Sequence, residues 1–259
     1  MRYLSAAALF AFALGLLAIQ PTAGADAPEG WGTVKGQIVF GPKDVPAPKE
    51  LNVDKDQAAC FIKAKKLFSE EWVINDKSKG VRWAYAWLAP VKAGEKLPIH
   101  PDLAKVKDEK VEMDQPCCQF EPHAVAIRQG QTIVFKNSAT INHNVNWSGG
   151  ALNPGNNISL PPGKSLEVND LKASRIPVTV ACNIHGWMKG WIRVYDHPYY
   201  AVTNADGEFE IKQAPAGKYR LVVWHEGAGW GPGGKDGQEV EIQAKGTTDL
   251  GKVEIKPAE

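Results

Sequence analysis

A chain of 259 residues is long enough for one large domain or two small ones. With 44% hydrophobic and 23% charged residues it is not a disordered chain, and 25 glycines with 18 prolines exclude a helical bundle and, lacking a triplet period, a collagen. A formal net charge of +1 excludes nucleic-acid binding through bulk charge.

The chain opens with Arg2, an apolar stretch from Leu4 to Ile19, then Pro21 and the small-residue site Ala23-Gly24-Ala25. That order predicts a signal peptide over residues 1–25, hence a periplasmic or secreted protein with no integral membrane span after processing. A retained membrane anchor is the alternative, but the run is short and no stop-transfer charges follow it. The processed chain carries 29 basic and 29 acidic residues. Export brings it into an oxidising compartment where disulfides persist.

From Gly32 the sequence reads as strands. Val34, Gly36, Ile38 and Phe40 alternate with Thr33, Lys35, Gln37 and Val39, and Pro42 ends the run. Residues 54–71 suggest a short helix. Trp83, Tyr85 and Trp87 alternate with smaller residues up to Pro90, and the Lys-rich residues 91–114 read as a surface loop. Strands then recur at short spacing: Val125–Ile127, Thr132–Phe135, Val178–Ala181 and Trp191–Tyr195, with turns at Asn153-Pro154-Gly155 and Pro161-Pro162-Gly163. Beyond Pro198 come the turn Asn204-Ala205-Asp206-Gly207, the alternating Phe209 and Ile211, a second turn at Pro215-Ala216-Gly217, and apolar runs at Tyr219–Val223, Val240–Ile242 and Leu250–Ile255. The pattern predicts an all-β chain built from sandwiches.

The strongest chemical signal is Cys182-Asn183-Ile184-His185-Gly186-Trp187-Met188, three metal-ligand types within seven residues between two strands. Upstream lies His143, in Asn142-His143-Asn144-Val145. A thiolate, two imidazoles and a thioether make the donor set of a blue-copper electron-transfer site. Soft sulfur favours Cu(I) and imidazole also holds Cu(II), so an electron moves with little rearrangement. Zinc sites use Cys and His but have no need of Met. A binuclear copper centre needs a second Cys on the loop, and none is present. With Cys182 committed to metal, Cys60, Cys117 and Cys118 remain. They predict one disulfide, Cys60 to Cys118 or to Cys117, and one free thiol; a bridge between the two neighbours is strained. His123, His197 and His225 have no ligand spacing and are expected to make structural hydrogen bonds. No catalytic dyad or triad is visible, so the chain is not expected to be an enzyme.

Residues 115–198 resemble the cupredoxins, the blue-copper proteins of the plastocyanin and amicyanin kind. The likeness rests on Cys182-x-x-His185-x-x-Met188 and on the segment from Asn137 to Val145. It implies a Greek-key β-sandwich holding one type 1 copper ion through His143, Cys182, His185 and Met188. It implies that Asn137 ties the two ligand loops together by hydrogen bonds, and that the edge of His185 reaches solvent as the electron port to a redox donor and acceptor. Gly186 departs from the family, where proline often follows that histidine. Residues 201–223 resemble carboxypeptidase regulatory-like domains, which are transthyretin-like β-sandwiches, and Val34–Ile38 and Val81–Leu88 resemble earlier strands of that fold. The two likenesses together imply a discontinuous sandwich of 31–90 plus 199–259 with the copper segment inserted. Segment 115–198 has seven basic and four acidic residues, a mildly basic face suited to an acidic partner. Copper storage or delivery, and a carbohydrate- or protein-binding sandwich using its nine tryptophans, are the competing functions.

Overall fold

The computed structural model of the chain describes residues 30–107 and 109–258; the expected signal peptide lies outside them. In chain order the elements are β1 (Trp31–Phe40), the single turn α1 (Gln57–Cys60), β2 (Tyr85–Ala89), β3 (Lys110–Met113), β4 (Ala124–Arg128), β5 (Thr132–Lys136), β6 (His143–Ser148), β7 (Asn156–Leu160) and β8 (Ser165–Val168). There follow β9 (Val178–Ala181), β10 (Lys189–Tyr195), β11 (Tyr200–Val202), β12 (Glu208–Pro215), β13 (Gly217–His225), β14 (Gly229–Trp230), β15 (Gln238–Ile242) and β16 (Thr247–Ile255). The all-β expectation holds. Among the described residues no helix is long and apolar enough to cross a membrane.

Strands β3 to β10 form two sheets, ordered β4-β10-β9-β6-β7 and β3-β5-β8. Their facing side chains, among them Ile127, Ile133, Phe135, Val145, Val180 and Ile192, make one core with Phe120 from the connection between β3 and β4. The other two sheets, β12-β1-β16 and β11-β2-β13-β14 with β15 on β13, each combine chain from before and after this unit. Strand β1 pairs antiparallel with β12 and parallel with β16, and β2 lies between β11 and β13. Their core holds Val34, Ile38, Leu88, Phe209, Ile211, Leu221 and Val253. The alternation of Glu208 to Ile211 is the period-two pattern of a strand with one face buried. The turn at Asp206-Gly207 needs glycine twice over. Its φ is +75°, and a Cβ there would stand 2.3 Å from the Ile38 carbonyl oxygen.

An aromatic seam joins the two sandwiches. Tyr85 and Trp87 of β2 and Trp224 of β13 pack with Ala124 and Tyr195 from the other unit. The Tyr85 hydroxyl lies 3.1 Å from the Val125 carbonyl and 3.0 Å from that of Trp191. The Arg193 guanidinium sits 4.0 Å above the Trp87 ring, a cation–π contact shielded from water.

Two local expectations need correction. Lys110–Met113, expected within the surface loop, is an edge strand in parallel register with β5. The short helix expected within 54–71 is the single turn Gln57–Cys60. Val53, Cys60 and Leu67, expected to belong with the flanking sandwich, join the core of the β3–β10 unit. The tether is the disulfide Cys60–Cys118, which fixes this segment against that unit. Cys117 is the free, buried partner of the neighbouring pair.

Candidate metal centre

Strands β9 and β10 form a hairpin with Ala181 opposite Lys189, leaving Cys182 to Met188 as its loop. The loop closes on itself. The Cys182 N–H donates to the Met188 carbonyl at 3.3 Å, and the Met188 N–H donates to the His185 carbonyl at 2.9 Å. The tight closure places both sulfur-bearing side chains at the mouth of the hairpin, each 1% exposed. Strand β6 runs antiparallel to β9, so its first residue, His143, arrives beside this loop.

Three donor atoms converge. Cys182 Sγ is 3.8 Å from His143 Nδ1 and 3.9 Å from His185 Nδ1. The two Nδ1 atoms are 3.0 Å apart, the spacing of a hydrogen bond between imidazoles. Bonds of about 2.0 Å to nitrogen and about 2.3 Å to sulfur, meeting at roughly 120°, hold their ends about 3.8 Å apart. Both sulfur-to-nitrogen distances match that value, and the two nitrogens, at 3.0 Å, stand closer than the roughly 3.5 Å of the same arithmetic; the three donors are grouped as a metal would need them. Burial and the neighbouring His185 ring push His143 down to about 4, which keeps its imidazole neutral. Its Nε2 is buried with no hydrogen-bond partner among the described residues, so the polar contacts of the ring all run through Nδ1. A thioether in the buried set suits copper better than zinc.

The sequence-predicted ligands His143, Cys182, His185 and Met188 are all buried in this one region. Asn137 is not the tie between the two ligand loops. Its amide donates to the carbonyls of Ile141 and Leu160, and its Oδ1 accepts from Ala139 N–H. That shapes the approach to β6. The tie is Asn144, which sequence reasoning missed. Its Oδ1 accepts from the N–H groups of Asn183 at 2.8 Å and Ile184 at 3.2 Å, and from the Cys182 thiol at 3.3 Å. Its own amide is held by Asn157 across β7. The signal available was an asparagine adjoining a ligand on a strand that pairs with the ligand loop.

His185 does not show an edge to solvent. The ring is 0% exposed, with Trp187 at 5.2 Å on one side and the Asp56 carboxylate 2.9 Å from Nε2. Asp56 is the second functional neighbour that the sequence left unmarked.

His123, His197 and His225 make hydrogen bonds as expected. His123 is clasped by Glu226, with Glu70 at 3.8 Å. His197 accepts from Tyr199 N–H, and His225 from Gly227 N–H at 3.2 Å. Burial holds both His197 and His225 down at about 4, while the unfolded imidazole titrates near 6.5. The unfolded chain therefore binds protons that the fold refuses. The stability from each group is complete above pH 6.5, declines as pH falls, and levels off below about 4. The loss is up to about 3 kcal/mol per histidine. His225→Asn keeps an acceptor for Gly227, and it is expected to flatten the pH dependence of the urea unfolding midpoint. A slope equal to that of the unsubstituted protein would assign the effect to other groups.

No protein-family model and no curated protein matches the chain. Among solved structures it is similar to the copper-containing nitrite reductase of Thermus scotoductus SA-01, at 22% identity and TM-score 0.33, over 38% of this chain. The match spans 27% of the length of that reductase. It is also similar to a purple cupredoxin from Nitrosopumilus maritimus, at 18% identity and TM-score 0.28, covering 32% of this chain and 98% of that one. An amicyanin variant in the Cu(I) form matches at 18% identity and TM-score 0.30, covering 42% of this chain and 97% of that one.

Proposed function

We propose that the chain is an exported protein that binds one copper ion through His143, Cys182, His185 and Met188 and passes single electrons between redox proteins, without catalysing a reaction of its own. The observation that carries this reading is the convergence of Cys182 Sγ and two histidine Nδ1 atoms within 3.9 Å in a site closed to water. Bound copper would supply reversible one-electron chemistry. The chain's part is to hold the donors still. Cys182 and Met188 sit at the two ends of a closed hairpin loop, and Asn144 locks that loop to the strand carrying His143. A donor set fixed by two paired strands changes little between oxidation states, which favours fast exchange. The redox partners are proposed to be proteins, and the export signal at residues 1–25 supports a periplasmic or secreted location.

The test is direct. The processed chain is loaded with Cu(II), and its visible spectrum and redox titration are recorded. Intense thiolate-to-copper absorption with reversible bleaching is expected. Copper uptake without that band would turn the reading to storage or delivery. No uptake would leave a non-redox binding sandwich.

A further inference from the structure

We propose that Asp56 is a positioning residue for His185: its carboxylate accepts the Nε2–H, fixes the tautomer that turns the Nδ1 lone pair towards Cys182 and His143, and covers the outer edge of the ring. The inference rests on the reading of the site as a copper centre, and it adds a residue 129 positions away from the ligand it serves.

Three separate observations converge on it. The first is the contact itself, 2.9 Å between Asp56 Oδ2 and Nε2 of a ring with 0% exposure. A buried imidazole with one nitrogen on a carboxylate has its tautomer decided, because the carboxylate only accepts. The second is a forfeited cap. Asp56 is the residue before the helical turn Gln57–Cys60, where an aspartate ordinarily accepts a backbone N–H of its own helix. Here its side chain makes no such bond. The third is its backbone, with φ 51° and ψ 28°, a left-handed conformation uncommon outside glycine and accompanied here by that reorientation. An aspartate that gives up its cap and takes the left-handed region, while its carboxylate meets a ligand ring from another part of the fold, is placed for that ring.

The scaffold around it is built to match. Asp56 is carried by the segment bound through Cys60–Cys118, and the Trp187 indole N–H donates to the Cys118 carbonyl at 3.2 Å. The two disulfide cysteines and His185 each place an atom within 4.8 Å of the others. The metal loop and the Asp56 segment are thereby pinned at a common point. The carboxylate remains 45% exposed, so it forms the outer wall of the site. A docking protein meets Asp56 there, with the imidazole edge behind it.

Outer partners of ligating histidines are typically worth about 10–100-fold in metal affinity. Asp56→Asn keeps the size and removes the charge. The full processed chain, Asp56→Asn and Asp56→Glu are compared by chelator competition for Cu(II) and by redox titration. The metal-free proteins are compared by ¹⁵N NMR of the His185 ring. Asp56→Asn is expected to weaken Cu(II) binding about 10–100-fold. Each tenfold of that loss not shared by Cu(I) raises the reduction potential by about 59 mV. Asp56→Glu is expected to recover part of both, and the slowly exchanging Nε2–H of the metal-free parent chain is expected to exchange faster in Asp56→Asn, whose amide oxygen is a weaker acceptor than the carboxylate. An affinity within about twofold of the parent, at unchanged potential, would overturn the positioning role while leaving the copper reading intact. A parent chain that takes up no copper, yet shows the protected Nε2–H, would sink the copper reading, and the metal-positioning role with it.

Discussion

Cys182→Ser is expected to fold as the parent does, to lose the intense visible absorption on loading with Cu(II), and to bind copper more than about a hundredfold more weakly. The size of the effect follows from what each neighbour is worth. Hydrogen-bond partners outside the ligand set already contribute about 10–100-fold, and removing a ligand should exceed that. The visible band requires a sulfur donor, which a hydroxyl cannot replace. The fold should survive because the site asks little of the substitution. The Cys182 thiol is 1% exposed and donates to Asn144 Oδ1 at 3.3 Å, a bond that a serine hydroxyl can make. No buried polar group is then left without a partner, so the change in stability should stay within about 1 kcal/mol. Visible spectroscopy, copper competition and chemical unfolding on the same preparations separate the two effects. Retention of the band would place the thiolate donor elsewhere. Loss of the fold would make the thiol structural.

The legibility of the molecule divides along a physical line. Features encoded by neighbours in sequence could be read. Strand β1 buries Val34, Ile38 and Phe40 of its alternating run, Asp206-Gly207 marks a turn that only glycine can close, and the Cys182–Met188 spacing describes a tight hairpin loop. Features decided by register or by remote contacts could not. Asn137 and Asn144 are the same residue type seven positions apart. Only the pairing of β6 with β9 shows that Asn144 lies beside the Cys182 loop, whereas Asn137 shapes the turn before β6. Lys110-Val111-Glu112-Met113 has too little apolar content to stand out from its polar surroundings. It becomes a strand because the open edge of β5 supplies hydrogen bonds. Trp83, expected within a strand, takes φ +70° and lies before it. Asp56 sits in a stretch that sequence patterning reads as a short helix, and its role comes into view only through contact with His185.

Replacing Cys60 and Cys118 together by alanine is expected to cost about 4 kcal/mol of unfolding free energy, from the loop entropy that a cross-link of this span removes from the unfolded chain. The bridged residues are 58 positions apart. The segment they secure has little else to hold it. Between β1 and β2 it contains one helical turn, and its extended residues are joined by isolated bridges such as Glu50 with Phe68. Backbone hydrogen bonding therefore offsets little of the cost of ordering it, and the tether is expected to hold Val53 and Leu67 in the core. Hydrogen exchange is accordingly expected to rise first in residues 50–71, ahead of the sheets, with a lower denaturant midpoint for the whole unit. The adjacent Cys117 thiol does not compete for the native pairing in the parent chain. Burial, with the Glu121 carboxylate 3.4 Å away, pushes Cys117 up to about 11, so little thiolate exists to attack the bridge. A double variant losing less than about 1 kcal/mol, with exchange in 50–71 unchanged, would show that packing alone seats the segment and that the bridge adds nothing to it.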